Sequence, residues 1–115
     1  MIFAGVFAVV AGAGMIVQWV MSAAAHKIPE IKTEPIRIGF HIAAEVLTAL
    51  TLIAGGIGLL MGQGWGRDIV LVALGMLFYT VIVSPGYFAQ KGQWAWLGMF
   101  GTILILGIIC LFLVI

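Results

Sequence analysis

Charge is scarce in this sequence. Asp, Glu, Lys and Arg make up 8% of its 115 residues, against about 25% in a soluble domain. So few charges cannot cover a water-exposed surface, which excludes an ordinary soluble fold. The net charge of +1 leaves no basic patch for nucleic acid and no polybasic run for an anionic lipid surface. The single cysteine, Cys110, excludes an intrachain disulfide and, in its apolar run, reads as a small hydrophobe. Segments of about ten residues alternating polar and apolar are missing, which argues against a membrane β-barrel. No Lys or Arg precedes the first apolar run, which is longer than the hydrophobic region of a signal peptide. Although Ser22-Ala23-Ala24-Ala25 resembles a cleavage site, that run is read as a retained first span.

What fills the sequence is apolar: 64% of it, with a mean hydropathy of +1.29. Four segments stand out, at about residues 2–25, 38–61, 65–84 and 94–115. Each has roughly 20 residues or more, enough to cross about 30 Å of hydrocarbon as a helix. The expected fold is therefore all-α: one transmembrane domain over 1–115, with four antiparallel helices in a compact up-down bundle. Loop one, 26–37, contains Pro29 and Pro35, which discourage helix continuation. Loop two, 62–68, is a glycine-rich turn. Loop three, 84–93, opens with Pro85-Gly86, so Pro85 is expected to end the third span. A faint internal repeat relates Gly14-Met-Ile-Val-Gln18 to Gly75-Met-Leu-Phe-Tyr79, and Thr51-Leu-Ile-Ala-Gly-Gly56 to Thr102-Ile-Leu-Ile-Leu-Gly107.

Orientation follows from Lys and Arg. Lys27, Lys32, Arg37 and Lys91 lie in loops one and three, and Arg67 alone lies on the other side. The positive-inside rule places loops one and three in the cytoplasm and both termini outside, in a plasma membrane. Trp65, Tyr87, Trp94 and Trp96 flank the spans as an interfacial aromatic belt would.

Two ionisable residues interrupt the second span. His41 and Glu45 are four apart, which puts both on one helix face. An acidic residue at the centre of a membrane helix costs about 2.5–3.5 kcal/mol, so it turns toward protein or a wet cavity. Helical periodicity sorts the rest of this span. Ile42, Val46, Leu50, Ile53, Ile57 and Leu60 make a bulky lipid-facing side, while Thr48, Gly55, Gly58 and Gly62 lie opposite, Gly58 and Gly62 as a GxxxG pair. Gly14 and Gly75 are the corresponding packing positions of spans one and three. By depth, Gln18, His41, Glu45, Thr48 and Tyr79 are expected to form one polar cluster in the cytoplasmic half.

The plainest role for such a cluster is structural or accessory: interhelical hydrogen bonds that fix register in a small membrane protein. Glu45 then bonds His41 or Tyr79 as a neutral acid, since desolvation penalises charge. An alternative is a proton-linked small transporter or channel subunit, because a carboxyl and an imidazole within a membrane make a proton relay. The small multidrug transporters are similar in size, span count and possession of an intramembrane glutamate. Their glutamate lies in the first span, where this sequence has Gln18, and a dual-topology dimer needs less charge bias than the loops show. A further alternative is a metal or haem site, for which His41 and Glu45 supply half the ligands. No cofactor is assigned. An enzyme acting on lipid or quinone lacks a nucleophile elbow or a phosphate-binding loop. Ser84-Pro85-Gly86-Tyr87 reads as a helix stop, with a gate hinged at Gly86 as the functional option. The expected partners are the bilayer and a second copy or a larger membrane assembly.

Overall fold

The computed structural model describes residues 2–24, 30–90 and 92–115. The elements in order are α1 (Ile2–Ala24), a short α2 (Glu30–Thr33), α3 (Pro35–Leu60), α4 (Gly64–Gln90) and α5 (Trp94–Val114). Among the described residues, four helices are long and apolar enough to cross a membrane by length and composition. The molecule measures 44 × 24 × 19 Å, the elongated shape of side-by-side helices of 21 to 27 residues. Part of loop one, including His26, Lys27 and Pro29, lies outside the described residues, as do Lys91 and the side chain of Tyr87.

The helix ends show where local chemistry departs from the expectation. Pro35 does not delay the second long helix to residue 38; it occupies the first turn. There its missing N–H forfeits no helical bond and its fixed φ suits the start. The ladder begins with Ile38 N–H donating to the Glu34 carbonyl at 3.0 Å. The far end of α3 closes with Gly62 at φ +74°. Gly62 N–H donates to Leu59 O at 3.1 Å and Gln63 N–H to Gly58 O at 2.9 Å, the paired bonds of a Schellman cap. Gly62 therefore serves the turn rather than helix packing, because φ is positive and a side chain there would meet nothing. Much of the expected second loop is helical, since α4 starts at Gly64.

Pro85 differs from expectation as well. It sits inside α4, which continues to Gln90. A proline in a helix interior withholds one N–H from the carbonyl four residues back, here Val81, and kinks the helix without having to end it.

Packing runs in a ring. α3 packs against α1 and α4, α4 against α5, and α5 returns to α1. Close approach depends on glycine. A Cβ on Gly56 would fall 2.8 Å from the Gly5 carbonyl oxygen, and one on Gly12 would fall 2.6 Å from that of Ala49. Between α3 and α4, a Cβ on Gly55 would fall 2.8 Å from Val70 N, and Gly58 abuts Trp65 and Gly66. Between α4 and α5, Gly107 receives the ring of Phe78. In these contacts small residues set the helix spacing, through a set partly different from the expected one. Gly5, Gly12, Gly56 and Gly66 were not singled out, and Gly14 and Gly75 face open space. Leu52, Val70, Leu74, Leu77, Cys110 and Val114 fill the interior.

Candidate functional site

The polar site is assembled from α1, α3 and α4. On α3, the spacing of four brings His41 Nε2 to 3.6 Å from Glu45 Oε1. That is beyond hydrogen-bond length but within ion-pair range whenever His41 is protonated. The two differ in access: 9% of the Glu45 side chain is exposed, against 35% of His41. On α4, Ser84 Oγ donates to Glu45 Oε1 at 3.3 Å, tying the helices together across the core. On α1, Trp19 meets the imidazole of His41 edge-on, with ring centroids 5.7 Å apart at 71°. Glu45 is thus gripped from α4 and flanked by His41, whose ring in turn meets α1.

The sequence places Ser84 at the end of the third span and the start of a turn, with no role beside Glu45. Its signal in the sequence is weak, because a serine before Pro-Gly resembles a helix stop, and only the packing of α4 against α3 shows that it faces Glu45. Four threonine hydroxyls, by contrast, bond the backbone of their own helix. Thr48 donates to Ala44 O at 2.8 Å, Thr51 to Leu47 O at 2.7 Å, Thr80 to Leu77 O at 2.9 Å and Thr102 to Gly98 O at 2.9 Å. Ser84 is the described hydroxyl that reaches another helix. Among the described residues, no buried side-chain nitrogen or oxygen lacks a partner.

The other expected members are placed differently. Thr48 is buried beside Glu45, with its hydroxyl turned to its own backbone. Gln18 is half-buried on α1. Tyr79 is 71% exposed and borders an open, largely apolar groove of about 240 Å³ with Ala44, Leu47, Thr48, Met76 and Thr80. The structure therefore joins His41 and Glu45 with Ser84 and Trp19, and sets Tyr79 with Thr48 along the neighbouring α3–α4 seam. Among the described residues, no group of three or more His, Cys, Asp and Glu gathers at His41 and Glu45 or elsewhere.

Two further polar contacts lie at the helix ends. Arg67 Nε and Nη2 donate to the carbonyls of Val114 and Ile115 at 2.9 and 3.0 Å, capping the C-terminal end of α5. Arg37 donates to Glu34 at 2.7 Å where α3 begins. The hydrogen bond and charge of Arg37 hold the Glu34 carboxyl below its ordinary pKa.

No curated protein and no solved structure matches the chain. A family match, by contrast, spans residues 2–115, and with it nearly the whole bundle and every residue of the polar site. The chain belongs to the family described as a domain of unknown function, DUF8058.

Proposed function

We propose that this is a small multi-pass membrane protein, one domain of four antiparallel spans, in which His41, Glu45 and Ser84 form an interhelical clamp with a structural or accessory role. The observation that carries this reading is the Ser84–Glu45 hydrogen bond between α3 and α4. Gly58 against Gly66, Gly55 against Val70 and Glu45 against Ser84 run in opposite directions along α3 and α4, which supports the antiparallel arrangement. The excess of Lys and Arg in loops one and three supports a cytoplasmic position for those loops, with both termini outside. The open small-residue positions Gly14 and Gly75 support association with a second copy or a larger membrane assembly.

In lipid, a buried carboxyl without partners costs several kcal/mol, so the clamp penalises any helix rotation that separates Glu45 from Ser84. The bond itself contributes less, on the order of 0.6–1.7 kcal/mol. Specificity of register is accordingly its main product.

A second reading, proton-linked transport, is favoured by the difference in access between His41 and Glu45. A partly exposed imidazole beside a buried carboxyl is the arrangement a proton relay needs. Unfolding of Glu45→Gln, Glu45→Ala and Ser84→Ala in mixed micelles, paired with proton flux in liposomes, separates the two. A clamp predicts that Glu45→Ala is destabilised, Glu45→Gln is near wild type and no variant changes flux. A relay predicts wild-type flux that Glu45→Gln abolishes in a folded protein. Unchanged stability in both alanine variants would refute the clamp.

A further inference from the structure

We infer that the Glu45 carboxylate, the Ser84 hydroxyl and the Val81 carbonyl form an oxygen-donor site for a hard monovalent cation of sodium size. The inference rests on the clamp just described and adds a ligand to it. Three observations lead there.

The first is the position of Pro85 inside α4. It has no N–H to give the Val81 carbonyl, and its ring presses that carbonyl away from the helix axis. Val81 is buried, so water does not readily replace the missing donor.

The second is the direction of the Ser84 hydroxyl. Serine in a helix commonly donates to a carbonyl three or four residues back, which here would be Val81 or Thr80. The four threonine bonds given above follow that habit. Ser84 instead gives its proton to Glu45. Its lone pairs stay available, and the Val81 carbonyl is left as an acceptor one turn away on the same face.

The third is the charge balance. Among the described residues, Glu45 is the one carboxyl group at this level of the bundle, and the flanking His41 adds no charge when neutral. A buried carboxylate favours a single compensating positive charge, and a divalent ion would leave an uncompensated charge in a low dielectric. Carboxylate, hydroxyl and carbonyl oxygens suit hard cations rather than thiophilic ones. Interrupted membrane helices coordinate sodium or protons in the same way, through carbonyls freed at the break. Ser84 can donate to Glu45 and offer a lone pair to the ion together, so binding does not break the clamp.

The test is thermal unfolding of the detergent-purified chain, followed by tryptophan fluorescence, with sodium chloride titrated against choline chloride at constant ionic strength. Wild type is expected to gain several degrees in Tm with a saturable midpoint. Ser84→Thr, which keeps the hydroxyl, should preserve that gain; Ser84→Ala and Glu45→Gln should lose it. Pro85→Ala returns an N–H to Val81 and should weaken the sodium midpoint at least tenfold while the fold persists. Equal Tm in the two salts for wild type overturns the inference, as does an undiminished sodium response in Ser84→Ala and Pro85→Ala. Failure of the clamp has a different signature: Ser84→Ala and Glu45→Ala would match wild type in choline alone. If Glu45→Gln does not fold, Ser84→Ala and Pro85→Ala carry the test.

Discussion

The contact most open to a decisive perturbation lies where α3 and α4 come together. A Cβ on Gly66 would overlap the carbonyl carbon of Gly58 and sit 2.5 Å from the Leu59 amide nitrogen and 2.9 Å from Gly58 Cα. Ordinary Cβ contacts are 3.4–4 Å, and every atom met here is backbone. No rotamer change relieves the overlap, so Gly66→Ala must push the helices apart by roughly 1 Å. A gap of that size forfeits about a quarter to a half of the dispersion well for each contacting pair. Gly55 against Val70, one turn further along the same seam, loosens with it. Overpacking of this kind costs about 1–3 kcal/mol.

Gly75 on the same helix provides the control. Its added Cβ would meet nothing within 4 Å, so Gly75→Ala is expected to be neutral or to gain up to about 1 kcal/mol from helix propensity. The assay is equilibrium unfolding of both variants beside wild type in mixed SDS micelles. The two substitutions should differ in sign, with Gly66→Ala the less stable by roughly 1–3 kcal/mol. Equal stability of Gly66→Ala and Gly75→Ala would refute the claim that backbone contact at this seam sets helix spacing.

Three further outcomes follow from the polar contacts. Arg67→Met leaves the last carbonyls of α5 without their cap, and the same unfolding assay should register a loss on the order of 1–3 kcal/mol. Arg67→Lys should recover only part of it, because a single ammonium cannot reproduce the two-nitrogen fork. At the start of α3, the Glu34 carboxyl is held below its ordinary pKa by Arg37. That support is fully present above the unfolded pKa and is lost as pH falls through the lower folded one. Amide protection factors in the first turn of α3, corrected for intrinsic exchange, should therefore fall in acid for wild type and stay level in Glu34→Gln. A wild-type profile identical to Glu34→Gln would show that the ion pair does not hold the helix start.

The length and spacing of the apolar runs determined that the chain is built on four long helices, because each run of about 20 apolar residues lacks the breaks and the alternation that shorter elements or strands require. The pairing of His41 with Glu45 was also legible, since residues four apart on a helix are neighbours whatever surrounds them. The outward side of α3 was read in the same way: Leu50, Ile57 and Leu60 are exposed, and none of the bulky row is buried.

Sequence alone did not decide what meets across the helices. A slip of one residue turns a helical side chain by about 100°, and depth matching is uncertain by more than that. Tyr79 is consequently expected inside and lies on the rim, while Ser84, expected to do no more than end the third span and open a turn, bonds Glu45. Which glycines matter was undecidable for the same reason, because Gly12, Gly66 and Gly75 look alike until the crossing points are known. Pro85 makes the point most plainly. As a local signal it is a helix breaker, yet α4 runs through it to Gln90, and the meeting of Ser84 with the buried carboxyl just before it is decided by the packing of α4 against α3.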